Sequence, residues 1–304
     1  MLFRSLGMTA AAVPRPSLTR SSASGRRRAA NAVAHVCIVL AFVVTVIPLA
    51  LVVGYVVVRG MQIMSWSFLS SDIPIVTRAP GDGMGPAVVG TLLITGAAML
   101  MAVPLGILGG VYLCEYGGTG PVARSVRFLA DVMTGVPSIV MGLFIYTTWV
   151  LTFGVSGFAG ALALACLMLP VIIRTTEEML RLVPLDQRQS AYALGGRRAG
   201  TILRVVLPAA APGIVSGVLL AVARAAGETA PLLFTILTLN TVKLDLFHGP
   251  NTTLSVQILR NAQQVFPGPQ ARAWGAALTL IGIVFVFTVV ARVVSAVFAR
   301  RHQP

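Results

Sequence analysis

The sequence predicts an all-α integral membrane protein, and three observations carry that assignment: an apolar composition, continuous apolar runs, and a lopsided distribution of arginine. Of the 304 residues 56% are hydrophobic and only 11% are charged, and the mean hydropathy is strongly positive. Such a composition cannot build a surface that faces water, so the solvent is lipid. Backbone groups in hydrocarbon must be hydrogen-bonded internally, and the apolar runs are continuous rather than alternating, so the spans are helices and not barrel strands.

The first thirty residues hold Arg4, Arg15, Arg20 and the run Arg26-Arg27-Arg28 without an acidic residue. Organelle transit peptides and cytoplasmic tails share that composition. A tail is favoured, because the apolar run that follows is too long for a signal-peptide core. The predicted organisation is a basic cytoplasmic tail over residues 1–30 and a transmembrane domain over 31–304. About six spans are expected, at Val33–Val58, Ala87–Leu113, Phe128–Leu151, Phe158–Ile173, Ala209–Leu239 and Trp274–Phe298. Each is long enough to cross once tilt is allowed, the fourth being the shortest.

Alternating these spans across the membrane sorts the basic residues. The tail, the second connection (Arg124, Arg127), the fourth connection (Arg174 to Arg204) and the C-terminal end hold most of the arginines, while the opposite side holds only Arg59, Arg78, Lys243, Arg260 and Arg272. Short loops rich in arginine stay in the cytoplasm, which places both termini there. The formal net charge of +14 thus reflects orientation. It does not indicate a nucleic-acid partner, because the arginines lie between apolar runs and are not interleaved with aromatics.

Several chemistries are excluded. Lys243 is the only lysine and is followed by Leu244, so the chain has no GxxxxGK[ST] phosphate loop, and any ATP that drives it binds another subunit. His35, His248 and His302 are scattered without metal-ligand spacing, and Cys37, Cys114 and Cys166 fall in separate apolar stretches. No catalytic constellation or metal site is predicted, and the chain is expected not to be an enzyme.

The connection at about 174–208 contains Gln189-Ser190-Ala191-Tyr192-Ala193-Leu194-Gly195 and later the pair Leu207-Pro208. This spacing predicts a short helix, a glycine turn, and a second short helix that ends where proline opens the next span, forming a helical hairpin outside the membrane. Here the chain resembles the permease subunits of ABC importers, whose cytoplasmic loop reads E-A-A-x3-G-x9-I-x-L-P, with Val205 in the isoleucine position. The stretches from Pro170 to Leu180 and from Ala223 to Phe234 resemble the phosphate-specific, PstA-type permease. So do Gly85 to Leu93, Gly135 to Phe144, and Val256-Gln257-Ile258 with Ala273-Trp274.

The resemblance implies a type I importer fold in the bacterial inner membrane. It also implies a PstC-type partner permease, PstB-type ATPase subunits that hold ATP and Mg, a PstS-type external phosphate-binding protein, and inorganic phosphate as cargo. The hairpin would seat in the ATPase, with Asp186, Gln189, Ala191, Gly195, Leu207 and Pro208 as its coupling residues. Gln189 and Ser190 replace the usual Glu-Ala, and an amide hydrogen-bonds but forms no ion pair; Asp186, one turn earlier, is the candidate substitute.

Arg224 and Glu228 lie inside the fifth span, where ionisable groups cost about 2.5–3.5 kcal/mol at the centre. Four residues apart, they share one helix face and can pair. A guanidinium offers phosphate a fork of donors, while a carboxylate accepts the proton that phosphate still carries near neutral pH and repels fully ionised sulfate. The competing assignment is a self-neutralising structural pair. Gly227 and Pro231 predict a kink beside Glu228. Arg174, at the cytoplasmic end of the fourth span, is either a second anion station or an interfacial anchor. Pro137 and Ser138 predict a kink in the third span, and Asp131 reads as a solvated helix-start carboxylate. Two other functions fit the sequence: an ABC permease for another oxyanion such as sulfate or molybdate, and an ion-driven secondary transporter or channel.

Overall fold

The computed structural model describes residues 25–74 and 83–301. Arg4, Arg15, Arg20, Arg78 and His302, and with them most of the predicted tail, lie outside the described residues. The chain divides into two units, Met1–Gly54 and Tyr55–Pro304. In the first unit, helix α1 (Gly25–Met61) begins inside the predicted tail, and its apolar side chains are exposed as far as Gly54. An apolar helix exposed all round is the form a lipid-facing span takes.

The second unit is all helical among the described residues. Helix α2 (Trp66–Ser70) is capped by Ser65, whose Oγ accepts the Phe68 N–H. Helix α3 (Gly85–Val111) starts with Pro86 in its first turn and is prolonged by a π turn at Tyr112–Tyr116. Helix α4 (Pro121–Gly135) follows, then α5 (Ser138–Ile145), a π turn at Tyr146–Val150 and α6 (Leu151–Phe153). The expected third span at Phe128–Leu151 is therefore not one helix: α4 and the run Ser138–Phe153 meet at 107°. Pro137 lacks an N–H and disfavours the helical region for the residue before it. Val136 accordingly sits at φ −70°, ψ 127°.

Helix α7 (Gly157–Arg181) is 25 residues long. It runs past Ile173, so the fourth span is not a short one. After α8 (Leu185–Ala193) the chain turns at Gly195, whose φ of +82° favours glycine. Helix α9 (Arg198–Thr201) then passes through a π turn at Ile202–Val206 into α10 (Leu207–Gly227). The hairpin's second arm is thus continuous with the fifth span, over Arg198–Gly227, and Pro208 opens no new helix. The wider π turn accommodates the donor that Pro208 lacks.

The fifth span ends at Gly227 instead of Leu239, because Glu228 is extended (φ −69°, ψ 129°). Helix α11 (Leu232–Thr235), a loop, α12 (Leu254–Ala262) and α13 (Pro267–Arg301) complete the chain. In the loop, the Asp245 carboxylate accepts the backbone N–H groups of Phe247 and His248, which hold it below the usual carboxylate range. Phe247 stacks on Phe158 at 5.0 Å, tying the loop to the start of α7. Five helices are long and apolar enough to cross a membrane, or six if the bent α4–α6 segment counts as one.

The core is built around α7, with Leu164, Met168, Ile172 and Leu180 buried against Ile94 and Ala98 of α3 and Ile214 and Val218 of α10. Between helices in lipid, association depends on close packing. Two glycine seams provide it. Gly106 and Gly110 of α3 face Ile172 and Thr176, and Gly213 and Gly217 of α10 face Met179 and Thr175. A Cβ at Gly217 would lie 2.0 Å from Thr175 Cγ2, whereas one at Gly96 would meet nothing within 4 Å. Gly217→Ala is therefore expected to destabilise the protein by about 1–3 kcal/mol. Its thermal unfolding midpoint in detergent should fall, and that of Gly96→Ala should not.

Candidate functional site

The last turn of α10 presents Arg224, and the extended residue just beyond the helix end is Glu228, with Arg224 Nε 3.7 Å from Glu228 Oε1. Both line a cavity of about 210 Å³. Its other walls are Met168 and Val171 of α7, Thr134 of α4, and Pro137 and Ser138 at the α4–α5 break. The two helix breaks therefore open onto the same space. Gly142 of α5 makes this possible: a Cβ there would lie 2.5 Å from Pro231 Cα, so α5 rests directly on the backbone that follows Glu228. The backbone of Glu228 is fixed on both sides. Its N–H donates to the Ala225 carbonyl at 3.1 Å, and its carbonyl accepts Ser255 Oγ of α12, also at 3.1 Å.

The pair is not sealed within the chain. The Arg224 side chain is 74% exposed and that of Glu228 21%. Both also border an open groove along α13, beside Leu280, Ile281, Val284, Phe285 and Thr288. At 3.7 Å the contact is an ion pair too long for a hydrogen bond, so the guanidinium fork keeps donors for another acceptor.

Arg174 lies outside that cavity and in a different electrostatic setting. Its neighbour Glu177 is 2% exposed and gathers three guanidinium groups: Arg127 Nε at 2.7 Å, Arg181 Nη2 at 2.5 Å and Arg174 Nη1 at 3.4 Å. Arg127 also donates to the Gly118 and Leu113 carbonyls, at 2.8 and 2.7 Å, which closes the α3–α4 connection onto α7. Arg174 pairs with Asp131 as well and donates to the Arg127 carbonyl at 3.2 Å. Asp131 is thus not a helix-start carboxylate. It stands late in α4, 61% exposed, and braces α4 against α7 through Arg174.

On the hairpin, Asp186 and Gln189 of α8 are exposed, Ala191 is half-buried and Gly195 forms the exposed turn. Leu207 and Pro208 belong instead to the continuous helix of the fifth span, where both are half-buried. Sequence reasoning missed the contacts that hold the hairpin in place: Arg188 pairs with Glu115, and Arg198 donates to the Glu115 carbonyl. It also missed Ser255 behind Glu228. The available signal was Glu115 itself, a carboxylate at the end of an apolar run, as ionisable groups there require partners.

Removing the Glu177 charge leaves its three arginines around a neutral amide. Glu177→Gln is expected to cost about 1–3 kcal/mol, the usual effect of weakening hydrogen bonds to a charged group, since the arginines left behind are partly exposed. A lower unfolding midpoint in detergent would register it, and Glu178→Gln on the exposed face of α7 should leave the midpoint unchanged.

Comparison with known proteins places this geometry. Residues 102–303 match the family described as binding-protein-dependent transport system inner membrane component. Phosphate transport system permease protein PstA 1 of Mycobacterium tuberculosis is 43% identical over 282 residues, covering 91% of each chain. Phosphate transport system permease protein PstA of Yersinia pestis is 42% identical over 241 residues, 79% of this chain and 81% of that one. A bacterial alginate ABC transporter, crystallised in complex with its pentasaccharide-bound periplasmic protein, aligns with a TM-score of 0.59 at 12% identity, covering 88% of this chain and 96% of that one. The inward-facing MetNI methionine ABC transporter aligns with a TM-score of 0.58 at 18% identity, over 70% of this chain and 94% of that one. At such identities the structural likeness shows the fold, that of type I ABC importer permeases. The chain belongs to the binding-protein-dependent transport permeases and, within them, to the PstA phosphate transport permeases.

Proposed function

We propose that this chain is the membrane-spanning permease subunit of an ATP-driven importer of inorganic phosphate and forms half of the translocation pathway. The observation that carries the reading is the Arg224–Glu228 pair, held open at 3.7 Å on a cavity where two helix breaks meet. The guanidinium binds phosphate oxygens through parallel charge-assisted hydrogen bonds. The Glu228 carboxylate accepts a hydrogen bond from the O–H that phosphate retains near neutral pH, whereas fully ionised sulfate has no O–H to donate and is repelled by it.

Arg224 also argues for a partner. A guanidinium exposed on the outside of a span is costly against lipid, so a second permease of the PstC type covers that face and supplies the other wall. Positive residues flanking the spans put both termini and the hairpin in the cytoplasm of a bacterial cell. There the exposed Asp186, Gln189, Tyr192 and Leu194 meet a PstB-type ATPase that carries the ATP and Mg. A PstS-type binding protein delivers phosphate on the opposite side. Arg174 would be the second station, meeting the anion as its contacts to Asp131, Glu177 and the Arg127 carbonyl open.

The test is uptake of labelled phosphate by vesicles containing this chain with its partner permease, ATPase and binding protein. Arg224→Gln is expected to lower import about tenfold or more, in line with loss of a hydrogen bond to a charged group, while the complex still assembles. Import that proceeds without the ATPase would overturn the reading, as would sulfate import equal to that of phosphate.

A further inference from the structure

We infer that Glu115 is a positioning residue for energy coupling, bolting both arms of the hairpin to the end of α3 so that hairpin movement is passed to α3. This rests on the reading of the chain as an ATPase-driven permease. Glu115 sits in the π turn that prolongs α3, and its side chain is only 7% exposed. A carboxylate so buried needs a cation and hydrogen bonds beside it.

Both are supplied by the hairpin. Arg188, on α8 before the Gly195 turn, pairs through Nη1 with Glu115 Oε1, and its Nη2 donates to the Leu180 carbonyl at the end of α7 at 2.7 Å. Arg198, at the start of α9 after that turn, donates to the Glu115 carbonyl. That carbonyl lies in the final turn, beyond the last helical N–H donors. The Arg198 guanidinium also lies over the Tyr116 ring, 4.7 Å from its centroid. One residue of α3 thus receives an arginine from each arm.

The first arm has little else to locate it, since α8 contains no buried residue, whereas the second runs on into the fifth span. From Glu115 the contact continues inward. Gly110 and Gly106 of α3 lie directly on Thr176 and Ile172 of α7, and α7 supplies Met168 and Val171 to the wall of the cavity holding Arg224 and Glu228. A contiguous packed path therefore joins the hairpin to that cavity. Coupling along this path is read in the transport ratio.

The experiment measures phosphate imported per ATP hydrolysed by the four-component complex in vesicles. Glu115→Gln/Arg188→Gln removes both charges at once and leaves none buried without a partner. It should assemble and keep basal ATP hydrolysis, with the import ratio reduced about tenfold, an ordinary size for a coupling energy. Glu115→Asp should recover part of the loss. An unchanged ratio in the double variant overturns the inference while the importer reading stands, and absence of ATP-driven import in wild type overturns that reading instead. A second measurement leaves Glu115 intact: spin labels at Ala199→Cys and Leu108→Cys, both exposed, in a background lacking the native cysteines. Their separation should stay constant between nucleotide-free and ATP-bound complexes. A separation that changes on ATP binding would show that hairpin and α3 move apart, and would overturn the inference on its own.

Discussion

A carboxylate that is 2% exposed, one turn from the end of a 25-residue helix, cannot remain ionised without cations beside it. Glu177 draws those cations from its own helix and from α4, and the remaining structure is arranged around that requirement. Arg127 brings the α3–α4 connection onto α7, and Arg174 with Asp131 fixes the later part of α4. Because α4 is held there, the 107° break at Val136–Pro137 points Thr134 and Ser138 into the cavity that also holds Arg224.

The ionised groups fall into two kinds. Glu177 and Glu115 are buried and surrounded by guanidinium donors, so their interactions are made within the chain. Glu228 and Arg224 are more exposed, make only a long mutual contact, and stand where the helix has ended. The first kind fixes helices. The second leaves hydrogen-bonding capacity for a ligand, which is the property a transport site needs.

Apolar runs in the sequence located the spans, because hydropathy reports what must leave water. It reports backbone geometry poorly. The third run carries a predicted kink at Pro137 that proves a full 107° break, and the fifth, kinked where Gly227 and Pro231 predict, is shorter than expected because the residues after Glu228 are apolar without being helical. The Arg224–Glu228 pair was legible because its two members are one helical turn apart. The Glu115 contacts were not, since Arg188 and Arg198 lie 73 and 83 residues away in sequence and no local period encodes such a meeting. Asp131 was misread for the related reason that its partner stands on another helix.

The glycine seams flanking α7 have a mechanical meaning. Faces without side chains resist sliding less than interdigitated ones, whereas the ion pairs that grip α7 are concentrated around Glu177, close to its C-terminal end. Its start is held as well, because the Phe158 N–H donates to the Leu246 carbonyl at 2.7 Å and the Phe158 ring stacks on Phe247. At about 1.5 Å per residue, Met168 stands about 13 Å from Glu177 and Gly157 about 30 Å. The cavity wall at Met168 thus stands between two held points, and a tilt of α7 is opposed at both.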